Sequence, residues 1–309
     1  MQRVLTTVTL LGLLVATSAA FAITEHLKLI KSPLSGIEVS KVLSPICRCA
    51  TGKATVRVKL RHEDSVTVTI VDSAHQTVAT LASGVRLPAH RPHVFAWNGR
   101  TDAGEIASDG IYHPWVHLGH ARWTYRFTNN ITLDTKPPRV LSAHVAKAVL
   151  LAGPGRAVAI DYAFSEQAHA LVYLGRRRIL LGRRSRPRDK IKWAGTFRGR
   201  PLRAGRYVLS VGAQDLAGNE TPAGERKQVT VEVRYIELSP RALTVRSGRR
   251  FTVHVKTAAK RYTWRLGHRH GSRRGKTLRL RAPARRGTYR LVVEQNGHVQ
   301  TVVVRVRAK

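Results

Sequence analysis

Residues 97–112 read WNGRTDAGEIASDGIY. A tryptophan opens this stretch, glycines and aspartates fill its turns, and a Gly-x-Tyr step closes it at Gly110 and Tyr112. Glycine lets the chain turn where a strand begins, and a tyrosine ring can cover a core while its hydroxyl reaches the backbone or water. Gly-x-Tyr steps recur at residues 205–207 and 287–289, each after a tryptophan and at intervals of roughly 80–100 residues, the size of one β-sandwich. The motif residues are Trp97, Gly99, Gly104, Gly110, Tyr112, Trp193, Gly205, Tyr207, Trp264, Gly287 and Tyr289.

Short segments between these motifs alternate apolar and polar residues. Residues 56–60 read VRVKL, and residues 251–256 read FTVHVK. Alternation with a period of two predicts strands that bury one face and expose the other, and short strands separated by turn residues predict antiparallel sandwiches. We therefore expect an all-β chain of three tandem sandwiches, with a proline-containing connector at residues 134–138. The predicted domains are residues 51–135, 136–234 and 235–309.

The pattern at residues 97–112 resembles the Ig-like domain of the bacterial flagellar hook-capping protein, in which W-[ND]-G-x-x-x-x-G is followed by G-x-Y. Residues 54–133 fit that domain, and residues 213–219, AQDLAGN, are similar to a turn of bacterial Ig-like repeats. The third unit carries the alternation, a tryptophan and the Gly-x-Tyr step. The resemblance implies tandem Ig-like sandwiches in an extracellular setting, with no shared catalytic residues. It does not imply hook capping, because nothing before residue 51 looks like a flagellar targeting segment.

The N-terminal segment is apolar. Residues 4–24 carry no charged side chain, and Ala20-Phe21-Ala22 fits the small-x-small pattern that signal peptidase reads. Residues 1–24 are therefore predicted to form an apolar helix that serves as a signal peptide or a membrane anchor. Either route exports the remainder, so we expect a secreted or membrane-anchored, extracytoplasmic protein. Residues 25–50, with two Ser-Pro steps, are predicted to be a linker.

Chemically reactive side chains follow no catalytic pattern. The chain has no Gly-x-Ser-x-Gly elbow, and its cysteines, Cys47 and Cys49, both lie in the predicted linker. Because the two cysteines are two positions apart, their thiols point to one side of an extended chain. The sequence is compatible either with a local disulfide or with a pair of free thiols. His113 and His117 share a strand face but have no nearby cysteine and few acidic partners. We predict no metal, no cofactor and no enzymatic activity.

The charge is strongly basic. Lys and Arg number 54 against 18 Asp and Glu, which gives a formal net charge of +36. Such a field attracts polyanions, although cations on the solvated faces of strands would give the same composition. The densest basic stretch is residues 176–206, and a second basic loop spans residues 269–286. The candidate polyanion-binding residues are Arg176, Arg177, Arg178, Arg183, Arg184, Arg186, Arg188, Lys190 and Lys192.

These features together predict an exported, non-catalytic protein of the cell envelope that binds or scaffolds. For an exported protein, an anionic envelope polymer or lipid surface is the expected partner, and no specific nucleic acid is expected. The alternative is a structural subunit of a surface appendage or flagellar-type assembly, whose protein partners would pair along sheet edges.

Overall fold

The computed structural model describes residues 2–29 and 32–308. An N-terminal helix, α1, spans Gln2–Leu29, and its side chains at residues 8–22 are exposed. Along the described part of the chain, no helix has both the length and the apolarity needed to span a membrane. Every other element is a strand or a short 3-10 turn, so the predicted all-β architecture after an N-terminal helix is confirmed.

The first sandwich packs a sheet of order β1-β3-β6 against a sheet of order β2-β9-β7-β4-β5, and β8 pairs with β7. Alternation places the core as predicted, since Val56, Val58 and Leu60 of β3 are buried while Arg57 and Lys59 are exposed. The strands are β1 Leu34–Val39, β2 Val42–Leu43, β3 Ala54–Leu60, β4 Asp64–Val71, β5 Thr77–Leu87, β6 Pro92–Trp97, β7 Gly110–Leu118, β8 Trp123–Arg126 and β9 Ile131–Leu133, with a 3-10 turn at Ala50–Gly52.

The second sandwich has the orders β10-β12-β15 and β11-β19-β18-β13-β14, and β16 pairs with β17. Its strands are β10 Val140–Val145, β11 Val149–Leu151, β12 Val158–Phe164, β13 His169–Leu174, β14 Arg177–Ser185, β15 Arg188–Trp193, β16 Thr196–Phe197, β17 Arg200–Pro201, β18 Gly205–Gln214 and β19 Lys227–Arg234, with a 3-10 turn at Ala223–Glu225.

The third sandwich has the orders β20-β22-β25 and β21-β27-β26-β23-β24. Its strands are β20 Ile236–Ser239, β21 Ala242–Arg246, β22 Arg250–Thr257, β23 Tyr262–Leu266, β24 Arg269–Arg273, β25 Thr277–Arg281, β26 Gly287–Gln295 and β27 His298–Arg307.

All three sandwiches share one topology. In each, the first two strands belong to different sheets, the first to the smaller sheet and the second to the larger. The second of them pairs in parallel with the last strand of its sandwich: β2 with β9, β11 with β19, and β21 with β27. The other strand pairs are antiparallel, as in Ig-like sandwiches. The chain divides into two compact units, Met1–Thr135 and Lys136–Lys309. The second unit contains the second and third sandwiches, which share one continuous apolar cluster.

The predicted linker at residues 25–50 is wrong for its second half. Strands β1 and β2 belong to the first sandwich, where Leu34 is 3% and Leu43 is 0% exposed. Gly36 adopts a φ of +58°, and the register of β1 against β3 shifts next to it. This bulge interrupts the period-two alternation, so the segment does not read as a strand in the sequence. The first sandwich therefore begins near Leu34 and not at residue 51.

The Gly-x-Tyr steps begin the central strands β7, β18 and β26. In each copy the tyrosine hydroxyl donates a hydrogen bond to the carbonyl oxygen four residues earlier, over 2.6 Å for Tyr112, 2.8 Å for Tyr207 and 2.9 Å for Tyr289. This arrangement is the tyrosine corner of Ig-like sandwiches, which ties the connection between sheets to the strand that follows it. The repeated motif therefore performs the same structural task three times.

The tryptophans do not repeat in the same way. Trp97 and Trp193 end β6 and β15, are buried, and donate their indole N–H to the carbonyl oxygen three residues later. Trp264 lies in β23 of the larger sheet, beside Val293, so its assignment as the third copy is wrong. In the smaller sheet of the third sandwich, Phe251 of β22 and Leu280 of β25 form a buried cross-strand pair. The large ring there lies on β22, the strand opposite the one that ends in tryptophan in the first two sandwiches.

Candidate functional site

The basic stretch of the second sandwich forms two edge strands on opposite sheets. Strand β14 ends the larger sheet beside β13, and β15 ends the smaller sheet beside β12. Arg186 and Pro187 connect them across the side of the sandwich. The Arg186 N–H donates to Ala168 O at 3.0 Å, and Pro187 O accepts from the Phe164 N–H at 2.7 Å. We call residues 176–192 the first basic edge.

All nine predicted polyanion-binding side chains lie on this edge and are exposed. In the part of the chain that the structure describes, Arg178 is the member of the nine that forms an ion pair, with its Nη1 3.5 Å from Glu220 Oε1. Asp189 is the one acid in residues 176–206, and its Oδ1 accepts a hydrogen bond from the Lys190 N–H at 2.8 Å. The other eight cations therefore present their charge to solvent.

Alternation along β15 places its cations on one face. Arg188, Lys190 and Lys192 are exposed, whereas the residues between them turn inward and end at the buried Trp193. Successive cations on this face lie about 6.6 Å apart along the strand. Asp161 on β12 is the cross-strand neighbour of Lys190. The three cations of β15 outnumber this acid, so the face retains a net positive charge.

A bulge in β14 exposes two consecutive arginines. The register of β14 against β13 shifts between His169 and Leu171, opposite Gly182. A Cβ atom at Gly182 would lie 3.0 Å from Ala170 N, so the backbones approach too closely for a larger residue. A bulge re-aims the residues around it, which is how Arg183 and the next arginine both reach solvent instead of alternating.

A groove of about 590 Å³ lies between the two edge strands. Its cationic rim and apolar floor give it the chemistry of a site for an extended anionic chain, which would place anions against the rim and its own backbone over the floor. Four cations, Arg183, Arg184, Lys190 and Lys192, line the groove together with one acid, Asp189, and the floor includes Tyr162, Leu180, Leu181 and Ile191.

One end of the edge is held by a polar network. The Tyr173 hydroxyl donates to Glu220 Oε2 at 2.9 Å, and the guanidinium of Arg226 lies 3.6 Å from the centre of the Tyr173 ring. Burial, followed by the hydrogen bond to Glu220, raises the pKa of Tyr173 to about 12. Glu220 also forms an ion pair with Arg178, so the charge of this arginine is engaged in the network. The charges of the neighbouring arginines can instead act on a ligand.

The remaining predicted residues lie elsewhere. Cys47 and Cys49 are joined in a disulfide between β2 and the first 3-10 turn, with their Cα atoms 5.2 Å apart. The His117 imidazole contacts Thr124 Oγ1 through its Nδ1, at 2.9 Å, on the outer face of β7. The groove floor was not foreseen from the sequence, because alternation assigns each strand a buried face without saying which two edges face each other.

Comparison with known families identifies the first sandwich. Residues 44–117 match the FlgD Ig-like domain family. The match runs from the end of β2 into β7 and includes the stretch Trp97 to Tyr112 that carries the sequence resemblance. No curated protein matches the chain. The match lies within the first sandwich and leaves its strands β1, β2, β8 and β9 outside.

Solved structures of tandem sandwiches are similar at low identity. The fibronectin(III)-like modules of Clostridium thermocellum CbhA share 12% identity with a TM-score of 0.35, over 65% of this chain and 94% of theirs. Titin domains I67–I69 share 11% identity with a TM-score of 0.30, and the match covers 90% of this chain and 99% of theirs. A Bacteroides ovatus glucan-utilisation protein, SGBP-B, shares 12% identity with a TM-score of 0.26, over 87% and 66%. The Ig-like fold of each sandwich rests on the strand topology described above and not on these similarities.

Proposed function

We propose that this protein is an exported, non-catalytic Ig-like repeat protein of the cell envelope, held electrostatically against an anionic surface polymer or membrane. One observation carries the proposal: the first basic edge exposes nine cations, of which Arg178 alone is paired within the described residues. Unpaired surface cations cost stability through mutual repulsion, so their concentration at one edge favours an external anionic partner. The family resemblance supports a binding or scaffolding role.

The expected strength follows from the number of free cations. Each Lys or Arg near an anionic surface contributes about 1 kcal/mol, so eight unpaired cations are sufficient for stable attachment even when several stay out of contact. Binding of this kind weakens steeply with salt, because each neutralised anion releases a counterion. A protein making six to ten phosphate contacts loses about 10³- to 10⁵-fold in affinity between roughly 50 and 200 mM salt.

The test is a salt titration of binding to anionic vesicles, zwitterionic vesicles and a soluble phosphate polymer. A variant with Arg183, Arg184, Lys190 and Lys192 changed to Gln should lose most of the binding to the anionic probes. The matched control removes four exposed cations from the first unit, and it should bind nearly as the parent does. Absence of binding at low salt, or binding that ignores salt, contradicts the proposal. The control substitutions are Lys41→Gln, Lys53→Gln, Lys59→Gln and Arg91→Gln.

Export is a separate part of the proposal and has its own test. It is supported by the uncharged residues 4–24 and by Ala20-Phe21-Ala22. If signal peptidase cleaves after Ala22, the mature protein begins at Ile23. An intact N-terminus on protein recovered from the envelope would instead indicate an uncleaved anchor, and recovery from the cytoplasm alone would contradict export.

A second candidate function, a subunit of a surface assembly, is favoured by the edge strand β5. This strand is 11 residues long, carries Arg86 as its one charged residue, and leaves Val85 43% exposed. Long edges with little charge are templates for pairing with another chain. Sedimentation analysis tests this candidate: a protein that stays monomeric at high concentration argues against it, whereas an oligomer that Val85→Lys dissociates supports it.

A further inference from the structure

We propose that the third sandwich carries a second anion-binding edge, formed by β24 and β25, and that the second unit binds one linear phosphate polymer at both edges. This inference rests on the proposed function, because it assumes that the first basic edge binds anions. It adds a second site and commits to a chain-like ligand in preference to a bilayer. We call residues 269–281 the second basic edge.

The second basic edge occupies the same topological position as the first. Strand β24 ends the larger sheet beside β23, and β25 ends the smaller sheet beside β22, just as β14 and β15 do in the preceding sandwich. The connection between β24 and β25 crosses the same side of its sandwich. The two edges are therefore equivalent places on two copies of one fold.

The second edge is at least as purely cationic as the first. No Asp or Glu occurs anywhere in residues 262–293. The Arg269 guanidinium donates to Arg281 O at 3.0 Å across the edge, which orients this cation without neutralising it. Among the described residues, none of the six cations of this edge takes part in an ion pair. These exposed cations are Arg269, Arg273, Arg274, Lys276, Arg279 and Arg281.

The fold alone does not require this charge. In the first sandwich the equivalent edge consists of β5 and β6, and residues 77–97 hold only two Lys or Arg residues: Arg86, which is paired with Glu63, and the exposed Arg91. The second and third sandwiches thus carry nine and six cations at this edge, whereas the first sandwich carries two, one of them paired. The charge at β14–β15 and β24–β25 is a property of the second unit.

The arrangement favours a chain over a bilayer. The groove of the first edge, of about 590 Å³, is lined by four cations and one acid above an apolar floor, which suits an extended anionic chain. A flexible polymer can reach both edges whichever way each one faces, whereas a planar bilayer engages both only if they face one plane. The two edges belong to one compact unit, whose two sandwiches share an apolar cluster. Binding at the first edge then raises the effective concentration of the same chain at the second, which can increase affinity by about 10²- to 10⁴-fold.

The experiment measures full-chain binding to inorganic polyphosphate of two lengths, about 10 and about 100 phosphates, at fixed salt, since only a chain that spans both edges gains from bivalency. The parent protein should bind the long chain at least about 100-fold more tightly than the short one. A second-edge variant should lose this length dependence and weaken on the short chain by only about twofold, because one of two sites remains. The variant carries Arg273→Gln, Arg274→Gln, Lys276→Gln and Arg279→Gln; the control is the four-site Gln variant of the first unit.

The outcomes separate this inference from the proposed function. If the second-edge variant binds long polyphosphate as the parent does, while the first-edge variant does not, the second site is overturned and the proposed function stands. If the parent binds neither polyphosphate nor anionic vesicles at low salt, the proposed function itself fails. If the two edges act together on anionic vesicles but show no length dependence on polyphosphate, the ligand is a membrane and the polymer is overturned. A thermal unfolding transition at or above the temperature of the parent's transition establishes that each variant is folded, because removing cations that repel one another should not destabilise it.

Discussion

Leu43→Ala tests whether the first sandwich includes the segment that its sequence disguises as a linker. Leu43 lies in β2, pairs in parallel with Leu133 of β9, and is fully buried. Its Cδ2 atom lies 3.2 Å from where a Cβ on Gly99 would be, so it packs directly against the backbone of the turn after Trp97. Alanine at this position removes most of a buried side chain. The backbone of β9 and that of the turn after Trp97 lie beside the space left behind, so the surroundings cannot easily close it.

The magnitude follows from burial and from the rigidity of the surroundings. Withdrawing a leucine side chain from water contributes about 1.5–3 kcal/mol, and the cavity that alanine leaves adds to the loss. Buried leucine-to-alanine changes cost about 2–5 kcal/mol in total. Because each 1.4 kcal/mol is a factor of ten, the opening equilibrium of the first sandwich should rise by about 30-fold to several thousand-fold.

Hydrogen exchange on the full chain is the suitable assay, because a chain of several sandwiches does not unfold in one two-state step. Amides in β3 and β7 should exchange faster by the factor above, while amides in β12 and β18 serve as the internal reference. Lys41→Ala, at an exposed position just before β2, should leave exchange unchanged. Unaltered protection in β3 and β7 after Leu43→Ala would refute the assignment and restore residues 25–50 as a linker.

Three further predictions follow from the second unit. Tyr207→Phe removes the hydroxyl that donates to the carbonyl four residues earlier and should lower the free energy of opening of the second sandwich by about 0.5–1.5 kcal/mol, measured by hydrogen exchange of the β18 amides; unchanged exchange would show that the tyrosine corner does not stabilise the sandwich. The pKa of Tyr173, about 12 in the folded protein and 10.0 for an ordinary tyrosine, predicts a stabilising contribution that is complete below pH 10 and lost as the pH rises through 12. Because burial also raises the pKa values of Tyr112, Tyr162, Tyr235 and Tyr262, Tyr173→Phe should reduce this pH dependence of the denaturation midpoint and not abolish it. Gly153→Ala places a methyl group against that of Ala258 and should cost about 1–3 kcal/mol, whereas Gly224→Ala, with open space around it, should leave the melting temperature nearly unchanged.

The sequence predicts the fold well where two independent signals agree. Alternation and the Gly-x-Tyr step together locate β7, β18 and β26, and each begins at the predicted glycine. Prediction fails where one signal is absent. The bulge at Gly36 breaks the alternation of β1, and Trp264 satisfies the spacing of the motif while lying in the other sheet. A spacing along the chain cannot distinguish the two sheets of a sandwich, because both have the same period.

The candidate site is predictable in composition but not in form. The sequence identifies the nine cations of the first basic edge, and all of them are exposed. It does not reveal that β14 and β15 belong to opposite sheets, nor that Gly182 permits a bulge that turns Arg183 outward. These features depend on strand pairing between residues far apart in the chain, which local pattern does not encode.

The sign of the charge decides between two roles that a charged edge can have. Charged side chains, lysine above all, protect an open edge from pairing with other chains. A mixture of signs would protect the edges without the self-repulsion that a single sign imposes. Residues 262–293 nevertheless contain no acid, and the first basic edge contains one. The long edge of β5, where protection is most needed, carries only Arg86. Protection alone therefore does not explain why the cations are concentrated at these two edges with almost no acid among them, whereas the proposed anionic ligand would.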